Sequence, residues 1–360
     1  MFRCMHVESM CVFIILSLSF ATVATAENLS KEQQSIKELL LPKKGENTSE
    51  ENIKELFSKA DDNYSLLPKG DFTASMSVDY SYFEAAQPTA VIVDGRFTIL
   101  DIVLDSERTL STSVGLDYGI TSNVNVGLSL PYYIKNNEQA GITSHDVGDT
   151  QVSVRWQPIP SESGKLTSLL FIAASIPTGQ SPYETDLEGE SLSTGQGFPS
   201  IVIGANFFKV LDPIIGFWSV SYTHNTGADD VLQARTFFLD EESIPGVLTE
   251  IDAGDSFSVA LGLSYSITYD FTLSMQYQHS ITDSSTFTWE YAAEEGTEEE
   301  GNLKAVTREG KIKSIPFDSG VAKVTAGWKG ENDNYMNLHF TMPMTPGQPD
   351  IIIGISFPLK

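Results

Sequence analysis

The sequence predicts an all-β chain that forms a transmembrane antiparallel β-barrel of about 12 strands, with a short N-terminal helical segment in the periplasm. Three observations predict it. Long segments alternate apolar with polar residues, and the interleaved residues are mostly Ser, Thr, Gly, Asn and Gln. Aromatic residues stand at the ends of the apolar stripes, as expected of interfacial girdles: Tyr82, Tyr132, Trp156, Trp218, Tyr222 and Trp328.

The N-terminus, residues 1–26, is predicted to be a secretory signal peptide. Arg3 provides the positive start, residues 10–20 form the apolar core, and a small-residue cleavage site ends at Ala26. An uncleaved membrane anchor is the alternative, although the apolar run is short for a membrane-spanning helix. Both cysteines lie within this segment, so the expected mature chain has no thiol and needs another source of stability, such as barrel closure.

A polar stretch at residues 27–70 precedes the predicted barrel at 71–360. Capping-box patterns begin at Ser30 and Thr48, and apolar residues follow each at helical spacing. Two such short helices are unstable alone in water, so their apolar stripes need a partner. The barrel lumen, another subunit or another protein would serve, and a loosely ordered tail is the alternative.

Alternation begins at residue 72 and is clearest at 256–267, where Phe257, Val259, Leu261 and Leu263 alternate with Ser, Ala and Gly. A soluble β-sandwich would also alternate. These segments, however, are about 10–13 residues long, which is enough to cross a bilayer at a tilt of about 45°. In lipid, only helices and closed barrels satisfy every backbone polar group, so the pattern favours a closed barrel.

Short and long links between the predicted strands alternate, which is typical of barrels with tight periplasmic turns and long external loops. When the strands are counted back from a periplasmic C-terminus, residues 84–108 must hold an even number of them. With no strand there the barrel has 12 strands, and with one hairpin it has 14. We favour 12, because the segment at 91–94 is short for a span. The short links are 121–122, 159–164, 209–213, 269–270 and 330–333, and the long links are about 134–146, 177–197, 225–254 and 283–317.

Few charged residues fall on the predicted inner face. Because a charge on a lumen wall needs a partner, Arg155 is expected to oppose Asp79 and Asp117, across the pore or through the preamble, and to set selectivity. Simple solvation without a selective role is the alternative. The predicted lumen-facing candidates are Asp79, Asp117, Gln151, Arg155, Gln157, Gln276 and Gln278.

The charge balance limits the partners. Asp and Glu total 48 against 22 Lys and Arg, a net charge of −26, which disfavours nucleic-acid binding. The stretch at 226–310 is strongly acidic and is predicted to be a solvated loop. The alternatives are repulsion of anionic solutes and binding of divalent cations that bridge to lipopolysaccharide.

No motif indicates a metal, a cofactor or an enzyme. The histidines are scattered and form no metal-binding pattern. An outer-membrane lipase would need a Ser–His pair, for which His279 with Ser280 or Ser284 is the candidate. A single His near a membrane interface is more often a girdle residue, so we expect no catalytic site.

Several stretches, taken in order, resemble an outer-membrane transporter family named for the MetA pathway of phenol degradation. They are Leu-Pro-Lys-Gly-Asp at 67–71, Asn-Val-Gly-Leu-Ser-Leu-Pro-Tyr at 125–132, Asp-Val-Gly-Asp at 146–149, Ser-Ile-Pro-Thr-Gly at 175–179 and Gly-Ala-Asn-Phe-Phe at 204–208. The resemblance covers roughly residues 65–282 and the C-terminal strand. It implies passive passage of small, hydrophobic or aromatic molecules through a porin-like channel of the bacterial outer membrane.

The predicted partners are outer-membrane lipid and lipopolysaccharide, the barrel-assembly machinery and a small-molecule solute. One departure from the pattern of such barrels is the C-terminus, where Phe357 is followed by three further residues instead of ending the chain.

The helical preamble is also similar to that of exporters of functional-amyloid subunits. An export conduit for a periplasmic polypeptide is therefore the alternative function, with residues 28–60 as plug or as the contact of a homo-oligomer. The third possible function is that of a structural barrel that conducts no solute.

Overall fold

The computed structural model describes most of the chain between residues 66 and 359. The described residues are 66–93, 96–162, 164–183, 192–239, 242–268, 270–295, 304–330, 335–345 and 349–359. All of them belong to one unit of the chain, residues 47–360. The predicted signal peptide and the predicted helices of the preamble lie outside the described residues.

The described residues form β-strands, and no helix among them is long and apolar enough to cross a membrane. The strands are β1 (Phe72–Val93), β2 (Arg96–Thr121), β3 (Val124–Asn137), β4 (Ile142–Val147), β5 (Thr150–Trp156), β6 (Thr167–Ile176), β7 (Ser200–Leu211), β8 (Ile214–Asn225), β9 (Ala228–Leu239), β10 (Glu242–Asp252), β11 (Ser256–Thr268), β12 (Phe271–Thr282), β13 (Thr286–Glu295), β14 (Lys304–Lys313), β15 (Phe317–Lys329), β16 (Tyr335–Pro343) and β17 (Ile351–Leu359).

A closed ring of antiparallel strands forms the barrel. Its order is β1, β2, β3, β5, β6, β7, β8, β11, β12, β15, β16 and β17. The last strand pairs with the first, with Ala74 opposite Leu359 and Tyr82 opposite Ile351. The extra strand β4 pairs with the second half of β3. The prediction of a 12-stranded antiparallel barrel is confirmed.

Residues 84–108 lengthen the first two strands. The β1–β2 pairing runs on from Phe83 opposite Glu107 to Val93 opposite Arg96, with one register shift after Thr89. The segment does pair as a hairpin, as the 14-strand alternative required. It adds no strand to the ring, however, because both of its arms continue strands already present.

Short and long links alternate around the ring as predicted, so the barrel has a short-turn end and a long-link end. Two of the long links are not loops. They form the hairpins β9–β10 and β13–β14, which pair in the order β14-β13-β10-β9 as a second sheet, called here the loop sheet. Val231, Leu248, Ile251 and Trp289 are its buried core. The prediction of a solvated acidic loop is therefore wrong here, because these apolar residues are spaced to share one face.

Alternation gives the barrel an apolar outer surface. In β11, Leu261 and Leu263 are 59% and 61% exposed, whereas Ala260 and Ser264 on the inner face are 3% and 2% exposed. Exposed aliphatic and aromatic side chains recur in this way on the strands of the ring. Such a continuous apolar surface requires hydrocarbon around it.

The sequence predicts a polar inner face, but one part of the inner face is apolar. Phe208, Val210, Ile215 and Phe217 point inward near the short-turn end of β7 and β8 and form a buried cluster, called here the inner apolar cluster. Gly262 on neighbouring β11 makes room for it, because a Cβ there would contact the Phe217 ring. Both faces of β7 are apolar at this end, so alternation alone did not identify the inner one.

Candidate functional site

A cavity of about 700 Å³ lies inside the barrel and is the candidate site. Its lining comes from both sides of the β1–β17 closure and from β3, β5, β6 and β7. Small hydroxyl and amide side chains dominate its polar lining, among them Ser75, Ser113, Ser129, Ser153, Asn206 and Asn337. Such groups can exchange hydrogen bonds with water or with a polar solute.

Arg155 and Asp117, both predicted as lumen-facing, line this cavity and form an ion pair with each other. The Arg155 and Asp117 side chains are 11% and 21% exposed. The two residues lie on β5 and β2, on either side of β3, where Gly127 leaves the space that they use. A Cβ at Gly127 would lie 2.7 Å from Asp117 Oδ1. The pair thus lies along one wall and does not cross the pore.

Asp79 binds a partner that the sequence analysis did not identify. Its Oδ1 lies 2.7 Å from Nε2 of His339 on β16. The two side chains meet across β17 at Gly354, where a Cβ would contact Asp79 and would lie 2.5 Å from the imidazole. Asp79 is therefore engaged separately from the Arg155–Asp117 pair. In the structure Arg155 pairs with Asp117, and Asp79 lies beside His339 instead.

The four predicted glutamines are placed differently from one another. Gln151 lines the cavity. Gln157 follows the end of β5, and its side-chain nitrogen donates to the carbonyl of Ile159 in the short turn. Gln276 and Gln278 lie on the inward-facing register of β12, where their neighbours Met275 and Tyr277 are exposed outward.

One charged pair, the histidine His339 and two lysines on the inner face were missed from the sequence. Besides His339, Lys135 and Glu107 face inward from β3 and β2, with Nζ and Oε1 3.8 Å apart. Lys323 lies opposite Gln276 on β12 and Thr341 on β16. The signal was available, because Lys323 alternates with Ala322 and Val324 just as Asp79 alternates with Val78 and Tyr80.

The chain just before β1 is held against the inner wall. Asn125 is 1% exposed, and with its amide oriented so that the oxygen faces the Leu67 N–H, it accepts from that N–H at 2.6 Å and donates to the Leu67 carbonyl at 3.2 Å. Gly119 allows this approach, since a Cβ there would contact the carbonyl of Pro68. Leu67 consequently lines the cavity.

At the long-link end, the described parts of the β6–β7 link are fixed by Asp149. Its carboxylate accepts from the backbone N–H of Gly179 at 3.1 Å and of Gln196 at 2.7 Å. Tyr183 of the same link packs against the core of the loop sheet, and Gln233 on β9 donates to the carbonyl of Pro182. This mouth of the barrel is therefore tied together by specific contacts.

Asp255, in the link between β10 and β11, ties that link to the end of β8. Its carboxylate accepts from the Tyr222 hydroxyl, the Asn225 N–H at 3.1 Å and His224 Nδ1 at 2.9 Å. Burial raises the pKa of Asp255, but these hydrogen bonds outweigh the burial and hold the pKa below its usual value.

The candidate Ser–His pair is not formed. His279 faces outward and stacks on Tyr277, whereas the Ser280 hydroxyl faces inward and bonds to Ser258 Oγ at 2.7 Å. Ser284 bonds to Asp283. Successive strand residues point to opposite faces, so His279 and Ser280 cannot act together.

No protein-family model matches the chain. A solved structure with a similar fold is the COG4313 outer membrane channel from Pseudomonas putida F1, with a TM-score of 0.51 and 12% identity over 82% of this chain and 97% of that one. The NanC porin has a TM-score of 0.40 and 9% identity over 79% of this chain and 100% of its own. The Pseudomonas putida toluene transporter TodX has a TM-score of 0.35 and 10% identity over 84% and 92%.

The first of these similarities shows the fold, and the apolar outer surface shows independently that the barrel is built for a lipid environment. The resemblance to the phenol-degradation family stays a prediction. By its fold and its surface, this chain is a β-barrel of the bacterial outer membrane.

Proposed function

We propose that the chain is an outer-membrane channel for the passive transport of small molecules. The observation that supports the proposal is the cavity of about 700 Å³ inside a closed barrel, lined by hydroxyl and amide groups and by the Arg155–Asp117 pair. A barrel that served only as a structural element would gain nothing from a polar, hollow interior with charged groups on its wall.

The solute that this cavity suits best combines a polar group with a small hydrophobic or aromatic part. Phe171 on β6 lines the cavity opposite Arg155, and a Cβ at Gly204 would lie 2.5 Å from the Phe171 ring. An aromatic ring and a guanidinium side by side can contact the two parts of such a molecule. We propose that Arg155 and Asp117 contribute to selection of this solute.

Solute entry into liposomes that contain the purified full chain tests the proposal. Small neutral sugars and aromatic alcohols of graded size should enter, with a size limit set by the cavity. The Arg155→Ala variant should shift the size limit for solutes or the ion selectivity, because it removes one charge and a long side chain from the cavity wall. Lys165→Ala, in the exposed turn pair with Glu162, is the matched control and should change neither. Liposomes that contain the folded protein and remain impermeable to every solute would contradict the proposal.

Export of a periplasmic polypeptide is tested by deleting residues 28–65, which precede the described residues. We propose that this preamble acts as a plug or an oligomerisation element. A larger conductance together with loss of oligomers on deletion would favour export. Unchanged conductance and oligomeric state would favour simple uptake.

A further inference from the structure

The inner face of the wall formed by β11, β12, β15, β16 and β17 carries charges of one sign. Four of these strands contain no Asp or Glu. The acid of the fifth, Asp318 on β15, lies on the outward register opposite Ile281, and its side chain is 61% exposed. On the described inner face of these five strands, the charged side chains are lysines, with His339 beside them.

Lys323 stands in the middle of this wall. Its neighbours Ala322 and Val324 lie opposite the outward-facing Tyr277 and Met275, so Lys323 itself points inward. Gln276 and Thr341 flank it on the two adjacent strands. Lys329, on the same face nearer the short-turn end, places its Nζ 5.7 Å from the centre of the Tyr335 ring.

Two charged pairs on the opposite part of the inner wall cancel their own charges. Arg155 is paired with Asp117, and Lys135 with Glu107. The carboxylate of Asp79 has a different neighbour, since its Oδ1 lies 2.7 Å from Nε2 of His339. Within the part of the chain that the structure describes, Lys323 has no carboxylate within 4.0 Å of its ammonium group. Among these described residues, no direct ion pair cancels its charge.

We propose that Lys323 makes this channel selective for small organic anions. The proposal rests on the proposed channel function and names the solute class. Rings or patches of Lys and Arg select anions in pores, because a fixed positive charge on a low-dielectric wall lowers the energy of an anion in the lumen and raises that of a cation. The net charge of −26 is carried elsewhere and does not predict this inner surface.

The size of the effect follows from Coulomb's law. At about 8 Å in fully aqueous surroundings, one unit charge favours a monovalent anion by a factor of roughly 2.3 and disfavours a monovalent cation by the same factor, and the two factors multiply in the permeability ratio. The permeability ratio should therefore change about fivefold when the charge of Lys323 is removed. The protein walls of a narrow lumen increase this change, and salt in the bath reduces it.

The test is the reversal potential of the full chain in a planar bilayer under a gradient of KCl, and then of potassium gluconate. The wild type should prefer the anion in both salts. Lys323→Gln should lower the preference about fivefold, Lys323→Glu should reverse it, and Lys323→Arg should retain it. Lys311→Gln makes the same charge change on the loop sheet, where Lys311 is 61% exposed, and should leave selectivity unchanged.

The outcomes separate the two proposals. A wild-type channel that conducts without preferring anions overturns this inference and leaves the channel function in place. Selectivity that is the same in Lys323→Gln as in the wild type also overturns it. A chain that inserts, shows the heat-modifiable mobility of a folded barrel, and never conducts overturns the channel function and this inference with it.

Discussion

Arg155 and Asp117 form their ion pair across an intervening strand, over the bare backbone of Gly127. Strands are about 4.8 Å apart, so residues two strands away are separated by nearly 10 Å and can meet only through a long side chain and an empty position between them. His339 and Asp79 repeat the arrangement across β17 over Gly354. In both cases a glycine on the inner face provides the space for the charged groups.

The first prediction concerns this space. Gly127→Ala should force the Asp117 carboxylate away from Arg155, because the new Cβ would lie 2.7 Å from Asp117 Oδ1 and from Ser153 Oγ. We expect a loss of about 1–3 kcal/mol in unfolding free energy, the cost of leaving partly buried charged groups poorly paired. The measurement is urea unfolding in lipid vesicles.

Gly216→Ala is the control for that experiment, because the nearest atom to a Cβ at Gly216 is a methyl carbon of Leu263 at 3.8 Å. This variant should be as stable as the wild type. Equal stability of the two alanine variants would show that the space over Gly127 does not matter.

The second prediction is a double-mutant cycle on Asp79 and His339. His339→Ala leaves the carboxylate of Asp79, whose side chain is 25% exposed, without its imidazole partner and should cost about 1–3 kcal/mol. Asp79→Ala alone should cost less, since it removes the carboxylate itself instead of leaving it without a partner. The double variant should be more stable than the sum of the single losses implies. Strictly additive losses would contradict a direct interaction.

Much of this fold could be predicted from the sequence, because lipid imposes a simple rule on the outer face. Leu261, Leu263 and Met275 must be apolar where they face hydrocarbon, and the period of two then fixes the direction of their neighbours. The inward direction of Asp117 and Arg155 follows from the same alternation, and the structure places both on the lumen wall.

The pairing of charges could not be predicted in this way. Asp79 can contact His339 because β17 lies between β1 and β16. This part of the ring is where the last strands of the chain pair with the first. The loop sheet was missed for a different reason. Its core residues, such as Leu248 and Trp289, come from two separate links, and the pairing of β10 with β13 that brings them together is non-local in the sequence.

The third prediction addresses the inner apolar cluster. Phe217→Ala should cost about 3–5 kcal/mol in unfolding free energy, since it removes a ring that is 3% exposed and packed over Gly262. It should also raise single-channel conductance, because it removes a ring that fills space on the inner face of the barrel. Phe207→Ala is the control, since Phe207 faces outward and stacks on Trp218 with a centroid distance of 5.5 Å. A conductance that rises in both variants, or in neither, would argue against a lumen-blocking role for the cluster.

The fourth prediction concerns pH and Asp255. Because hydrogen bonds from Tyr222, Asn225 and His224 hold the pKa of Asp255 below its unfolded value of about 3.9, ionised Asp255 stabilises the folded state above that pH. The contribution is lost as the pH falls through the folded pKa. Asp255→Asn should therefore lower the thermal midpoint of unfolding at neutral pH, and the difference from the wild type should shrink steadily below about pH 4. Asp252→Asn, at an exposed position on β10, should show neither effect. If the thermal midpoint of Asp255→Asn stays equally far below that of the wild type in acid, the variant is destabilised by something other than the loss of the charge.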